Sequence, residues 1–300
     1  MKALRPLMAF LAIAPAIALG QVIVNDNWAD GGRTNGADPL DIGWWTSTSA
    51  TAIEVSTGSL GLVNSTSVTG NGIHGTFTPH SLSIGDTLTL TFTFTTPATI
   101  GTDRYSPLRV GLFNTLGRGG LTGDLTASEV SPNFLYNGLP GYWVDWDVNA
   151  TNANITFRQH NPAATSGQLL ADGNDYPMIS AGGSIYAFAA GTSYTGLLSI
   201  TRTGADAMSL TGTLYQGGTE LSTWLATDSS GIVSYFDMVA FHLNPSAFGS
   251  STTPGMADNG IDFTNITLST GAVPEPATCA WISGLAAFGF VLATRRKRAK

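Results

Sequence analysis

The residues best placed to do chemistry lie in Gly141-Tyr142-Trp143-Val144-Asp145-Trp146-Asp147-Val148. In an extended chain, side chains alternate. Trp143, Asp145 and Asp147 therefore share one face, and Val144, Trp146 and Val148 share the other. Carboxylates two residues apart on a strand stand roughly 6.5–7 Å apart, near the separation of the acid pairs that cleave glycosidic bonds. An indole offers a flat apolar face with a polar edge, the shape that stacks on a sugar ring. The candidate carbohydrate-binding set is thus Trp143, Asp145, Trp146, Asp147, Trp44 and Trp45, with Trp224 as a further indole. Against it stands core packing, since tryptophan is buried in most folds.

Other chemistry is weaker. Asp258, Asn259 and Asp262 around Gly260, and the run Asp172-Gly173-Asn174-Asp175, supply hard oxygen atoms in loops and could hold calcium. Neither has EF-hand spacing, and Asx/Gly clusters also build plain turns. His74, His80, His160 and His242 show no metal-ligand spacing, and no Gly-x-Ser-x-Gly occurs. No catalytic residue is assigned, and no cofactor is expected beyond that calcium.

Composition narrows the partners. Two basic residues, Lys2 and Arg5, open the chain, and five close it: Arg295, Arg296, Lys297, Arg298 and Lys300. Residues 21–271 hold six arginines, no lysine and nineteen acidic residues, a net charge of −13. Phosphate backbones and anionic membranes need a basic surface, so nucleic acid is excluded as a partner of this region. The single cysteine, Cys279, lies near the C-terminus. The region before it has no disulfide and no thiolate zinc site, and its length gives it a core large enough to do without either.

The elements that would position the candidates are strands. From Thr87 to Thr95, Leu88, Leu90, Phe92 and Phe94 alternate with threonines, a period of two with one apolar face. Shorter runs follow at Leu108–Asn114, Tyr142–Asn149, Asn154–Gln159, Tyr194–Thr203, Met208–Tyr215, Tyr235–Leu243 and Ile261–Leu268. Before them come Ser59–Asn64 and Gly72–Thr78, while residues 25–50 read as polar and irregular. Gly204-Ala205-Asp206 predicts a tight hairpin. Ile261 and Phe263 differ in parity from Ile266 and Leu268, which predicts a bulge near Thr264-Asn265. Many short strands without a fixed-period repeat call for two sheets packed face to face: an all-β, antiparallel sandwich.

The ends carry addresses. Lys2 and Arg5 precede an apolar run to Leu19, and Ala18 and Gly20 frame a cleavage point, the layout of a signal peptide over 1–20. At the other end, Val273-Pro274-Glu275-Pro276 is followed by an uncharged segment from Ala277 to Ala293 and a basic cluster, Arg295, Arg296, Lys297 and Arg298. As a helix that segment would span roughly 25 Å, a little short of the hydrocarbon core, with its basic end inside the cell. Motif, short apolar helix and basic cluster, in that order, resemble the PEP-CTERM sorting domain. The resemblance implies export in a Gram-negative, exopolysaccharide-producing bacterium. It also implies transient anchoring in the membrane by the C-terminal helix, then recognition and cleavage at Val273, Pro274, Glu275 and Pro276 by an exosortase-type transpeptidase. The expected layout is a leader at 1–20, a β-sandwich at 21–271 and a sorting segment at 272–300.

The sandwich pattern is similar to the concanavalin A-like lectin/glucanase fold, a jelly roll. The similar parts are the Gly85-Asp86 turn, the Leu108-Arg109-Val110-Gly111-Leu112-Phe113 strand and the Ile261-Asp262-Phe263-Thr264-Asn265-Ile266 strand. Glucanases of that fold carry Glu-x-Asp-x-x-Glu on one strand. Here no glutamate follows Asp145 and Asp147 at that spacing, and Glu129 lies upstream. The expectation is therefore a surface or matrix protein that binds or organises exopolysaccharide without cleaving it. A glycan hydrolase or lyase on the same sandwich, and a purely structural matrix component, are the alternatives.

Overall fold

The computed structural model describes residues 20–34, 38, 40–46, 53–63, 71–101, 108–118, 121–125, 136, 138–148, 155–160, 169–170, 176–244, 247–248 and 260–272. These residues contain no helix. The strands are β1 (Val22–Asp26), β2 (Trp44–Thr46), β3 (Ile53–Ser56), β4 (Ser59–Val63), β5 (Asn71–Ser81), β6 (Asp86–Thr95), β7 (Leu108–Phe113), β8 (Gly141–Trp146), β9 (Ile155–Gln159), β10 (Met178–Gly182), β11 (Ser193–Gly204), β12 (Ala207–Gln216), β13 (Thr219–Asp228), β14 (Tyr235–Leu243) and β15 (Gly260–Ala272). Residues Gly20–Gly271 form one compact unit.

Two sheets result. The eight-stranded sheet runs β13-β12-β11-β6-β15-β4-β3, with β1 also paired to β15, and the seven-stranded sheet runs β10-β9-β8-β7-β14-β5-β2. The registered neighbours are antiparallel. From β4 to β7 successive strands change sheet, and β14 and β15 do so again. This is the jelly-roll sandwich expected from the strand pattern.

Alternation fills the space between the sheets. Leu88, Leu90, Phe92 and Phe94 of β6 point inward and are fully buried. They meet the inward residues of the other sheet: Phe92 lies 5.7 Å from Trp146 and 5.2 Å from Phe241, and Phe241 lies 4.7 Å from Phe263. Edge-to-face contacts of this kind add to burial, itself worth about 1.5–3 kcal/mol per large apolar side chain. Gly196 of β11 stands opposite Phe92 in the register. A Cβ there would fall on the Phe92 ring, so the glycine makes room for the aromatic centre of the core.

The threonines of β6 face out and pair with β11. Thr87 hydrogen-bonds Thr201 at 2.8 Å, Thr89 bonds Ser199 at 3.1 Å and Thr93 bonds Thr195 at 3.2 Å. The hairpin at Gly204 is present, with Gly204 paired to Ala207. In β15 the buried residues are Ile261, Phe263, Ile266 and Leu268, so the alternation slips by one residue at Thr264-Asn265. β4 pairs with Gly260–Phe263 and β1 with Ile266–Ser269, so the two halves of the strand have different neighbours.

The stretch read as irregular, 25–50, contains β2 and the end of β1. β2 is three residues long and β1 carries only Val24 and Asp26 inward, too short for a period to show. β10 and β13 are also additions; they are edge strands, whose faces are only partly apolar. Their sheet edges meet: the Trp224 indole N–H donates to Ser180 Oγ at 3.1 Å, and its ring lies over Gly182. Such a cover blunts two edges that would otherwise invite pairing with another chain.

Candidate functional site

The outward face of the seven-stranded sheet holds Trp143 and Asp145. β8 sends Tyr142, Val144 and Trp146 into the core, so period two sends Trp143 and Asp145 the other way. Arg109 of β7 stands directly opposite Asp145, and Arg158 of β9 opposite Trp143. The two guanidinium groups lie over the Trp143 ring, at 5.4 and 5.6 Å from its centroid, and Tyr176 meets that ring edge-on at 5.4 Å. Cations over an indole face are attracted by its quadrupole, more strongly where water is excluded.

Water is excluded here. Leu121, Leu125, Tyr136, Leu139, Leu169 and Leu170 cover this face and pack with Trp143, Phe113 and Met238 as a second apolar core. Trp143 is 0% exposed and Asp145 is 1% exposed. Arg109 Nη1 donates to the Leu170 carbonyl at 2.7 Å, and Arg158 Nη1 to the Tyr176 carbonyl at 2.9 Å, tying the cover to the sheet. His74 is a third tie. Its Nε2 lies 3.0 Å from the Leu121 carbonyl and its Nδ1 2.9 Å from the Tyr136 hydroxyl. Burial lowers the His74 pKa to about 4, so the ring is neutral at neutral pH. With the proton on Nε2, the ring donates to Leu121 and accepts from Tyr136.

The remaining candidates scatter. Trp146 lies in the main core against Phe92. Trp44 is also in that core, where its indole N–H donates to Asp26 Oδ2 at 2.7 Å; Asp26 Oδ1 accepts the Trp28 amide at 3.0 Å. Desolvation raises the Asp26 pKa, and those two hydrogen bonds partly offset it. Enclosed indoles of this kind have no face to offer a sugar. Trp45, the next residue along β2, points the other way and is half-buried. Arg33 lies over it at 5.6 Å and binds both oxygens of Asp124, at 2.8 and 2.6 Å. Asp124 also accepts the Thr46 amide at 3.0 Å, and the Arg33 hydrogen bonds hold its pKa below the usual carboxylate range. Asp147 follows β8 and is half-buried. Of the six candidates, then, Trp45 and Asp147 reach solvent, and they lie far apart in the sequence.

Asp258 and Asn259 lie outside the described residues, as does the loop 172–175. Asp262 is on β15, exposed, with Gly61 between it and Glu54 in the register. Desolvation, then the charge of Glu54, raises its pKa. Among the described residues no group of three or more His, Cys, Asp or Glu side chains is placed to hold a metal ion. The Arg33–Asp124 pair and the leucine cover were not anticipated. Leu121, Leu125, Leu139, Leu169 and Leu170 were the available signal, but apolar residues in loops show no period.

The architecture is thus an all-β, two-sheet antiparallel sandwich. Residues 272–297 match the PEP-CTERM protein-sorting motif. The chain carries that motif and is an exported protein addressed to exosortase processing and, through membrane-anchored sorting, to the cell surface. Val273, Pro274, Glu275, Pro276, Arg295, Arg296 and Lys297 fall within the match and Arg298 just beyond it, all outside the described residues, as are residues 1–19 of the expected leader. Among the described residues, no helix is long and apolar enough to cross a membrane. Lectin II from Ulex europaeus is similar at 13% identity, over 85% of this chain and 100% of its own, with a TM-score of 0.45. The endo-1,3-beta-glucanase of Streptomyces sioyaensis is similar at 13% identity, over 88% and 100%, with a TM-score of 0.45. Peanut lectin is similar at 8% identity, over 85% and 99%, again with a TM-score of 0.45. Likeness at this level carries nothing about ligand or activity. No curated protein matches the sequence.

Proposed function

We propose that this protein is a surface-sorted, non-enzymatic binder of neutral extracellular polysaccharide. The sandwich is the functional part, the leader directs export, and the C-terminal segment is removed after sorting. The observation that carries the reading is the fate of the charged groups. Arg33, Arg109, Arg158 and Arg202 all direct guanidinium donors at groups of the protein itself; Arg202 donates to the carbonyls of Leu82, Gly204 and Ala205. The segment between leader and tail has a net charge of −13, which repels an anionic polymer. Asp145, which a hydrolase would need at an open cleft, is sealed beneath the leucine cover against Arg158. This favours binding over cleavage. Trp45, beside the Arg33–Asp124 pair, is half-buried, as is Trp224, and offers an indole that can meet a sugar ring.

The test is a polysaccharide panel, neutral and anionic, incubated with the full chain. Bound protein and newly formed chain ends are measured together. The expected result is capture by neutral polysaccharide with no new reducing or unsaturated ends. Release of such ends would establish the hydrolase or lyase alternative, and capture by anionic polymers alone would contradict the proposal.

A further inference from the structure

The outward face of the eight-stranded sheet, opposite the side where the candidate residues lie, is a lattice of hydroxyl groups over β6, β11, β12 and β13, while Asp262 and Glu54 stand farther along the same sheet, on β15 and β3. The registers of β6, β11, β12 and β13 line up rows across four strands; Thr89, Ser199, Thr211 and Leu225 form one. In the lattice these strands span, Leu197, Ala207, Glu220 and Leu225 lack a hydroxyl, as does Leu221 at the bulge of β13. Apart from Glu220 at the margin, the lattice bears no charge, although the surrounding domain is strongly acidic.

We propose that this face is where an extended, neutral polysaccharide lies against the protein. The inference rests on the glycan-binding function proposed above and assigns it a surface. Three features fit a neutral polyol. The cross-strand pairs, such as Thr87 with Thr201 at 2.8 Å and Thr213 with Thr223 at 2.9 Å, each share one hydrogen. One O–H per pair, together with unused lone pairs, is left over, so the face offers donors and acceptors together, as a sugar chain does. Threonine sets a methyl beside each hydroxyl, matching the mixed C–H and O–H surface of a pyranose. Strands repeat every ~4.8 Å, close to the length of one sugar in an extended β-linked chain, so successive sugars crossing the strands meet equivalent rows. The lattice is also pre-ordered: β-branched side chains on paired strands are stiff at χ1, so little rotamer freedom is lost on binding. A protein partner fits less well. Protein interfaces gather aromatic residues and arginine at their centre, and Tyr215 is the one aromatic on this lattice.

The test uses the full chain purified in detergent, with microcrystalline cellulose and an insoluble β-glucan as probes and alginate as the anionic control. A combined Thr89→Val, Thr93→Val and Thr211→Val variant removes hydroxyls and keeps β-branched shape. The expected result is capture by a neutral probe that weakens about tenfold in this variant, with the melting temperature retained. If the variant melts early, Thr91→Arg serves instead, since it leaves the cross-strand hydroxyl pairs intact and puts bulk on the face; the same loss is expected. A lattice variant that binds like the parent, while Trp45→Ala abolishes capture, overturns this surface and leaves the glycan-binding reading standing. A parent chain that no polysaccharide captures overturns both. Self-association of the parent that the lattice variant abolishes, with no capture, assigns the face to a second copy and also overturns the inference.

Discussion

Asp145 and Arg158 form an ion pair across β8 and β9, 3.8 Å from Nε to Oδ2, with the carboxylate almost wholly shut away from water. The pair sits beside an indole held under two guanidinium groups, beneath a lid of leucines. Removing one member of a buried pair leaves the other charged and desolvated, a loss of about 3 kcal/mol or more. Asp145→Asn is therefore expected to lower the unfolding free energy read from a urea titration by that amount and to leave polysaccharide capture by the folded protein unchanged. Unchanged stability with lost capture would mark Asp145 as a ligand residue. The measurement is a denaturant titration run alongside the binding assay.

Acid stability has two opposed contributors. His74 has a folded pKa near 4, below its ordinary 6.5. As pH falls, the unfolded chain takes the proton first. The stability from this group is complete above about pH 6.5 and is lost toward pH 4, by about 3 kcal/mol. Asp41 goes the other way. Desolvation and the charges of Asp26, Asp38 and Asp30 raise its pKa to about 6. Its contribution is present below its ordinary 3.8 and is lost as pH rises through 6. Thermal melts from pH 4 to 8 should show a shallower acid slope in His74→Gln. Asp41→Asn should melt higher than the parent at pH 8 and equally at pH 4.

Gly196→Ala tests the core. The added methyl would meet the Phe92 ring, which is packed on Trp146 and Phe241 and has no free direction. Overpacking of this kind costs about 1–3 kcal/mol. A calorimetric melt should show the fall. Pairing with Phe92→Leu should recover part of it, as coupled neighbours do.

The sequence made the long strands legible and the short ones illegible, for one physical reason. β6 shows its period over ten residues, and Phe92 and Phe94 could be placed inward from it alone. β2 is three residues long, so nothing in the sequence told Trp44, which faces the core, from Trp45, which faces outward. Alternation did place Trp143 and Asp145 together on one face. It could not tell that leucines from two distant loops close over that face, because loop contacts leave no periodic mark. The threonine alternation was plain on β6, but its extension over β11, β12 and β13 exists only in the registers between strands.

Sorting makes its own prediction. Protein recovered from the surface of the producing bacterium should end within or just before Val273-Pro274-Glu275-Pro276 and begin near Gln21. Intact-mass spectrometry reads both ends at once. A surface form that keeps Arg295 to Lys300 would show that the tail is a lasting anchor instead of a removable address.

The most direct measurement of the central claim, that this sandwich holds neutral polysaccharide through uncharged contacts, is co-sedimentation of the full chain with insoluble neutral β-glucan at rising salt. Screening weakens attraction between exposed charges and leaves hydroxyl and stacking contacts largely intact. The expected result is capture that persists unchanged from low salt to about 1 M, where the Debye length falls to roughly 3 Å. Capture that disappears with salt, or that appears only on an anionic polymer, would contradict the account.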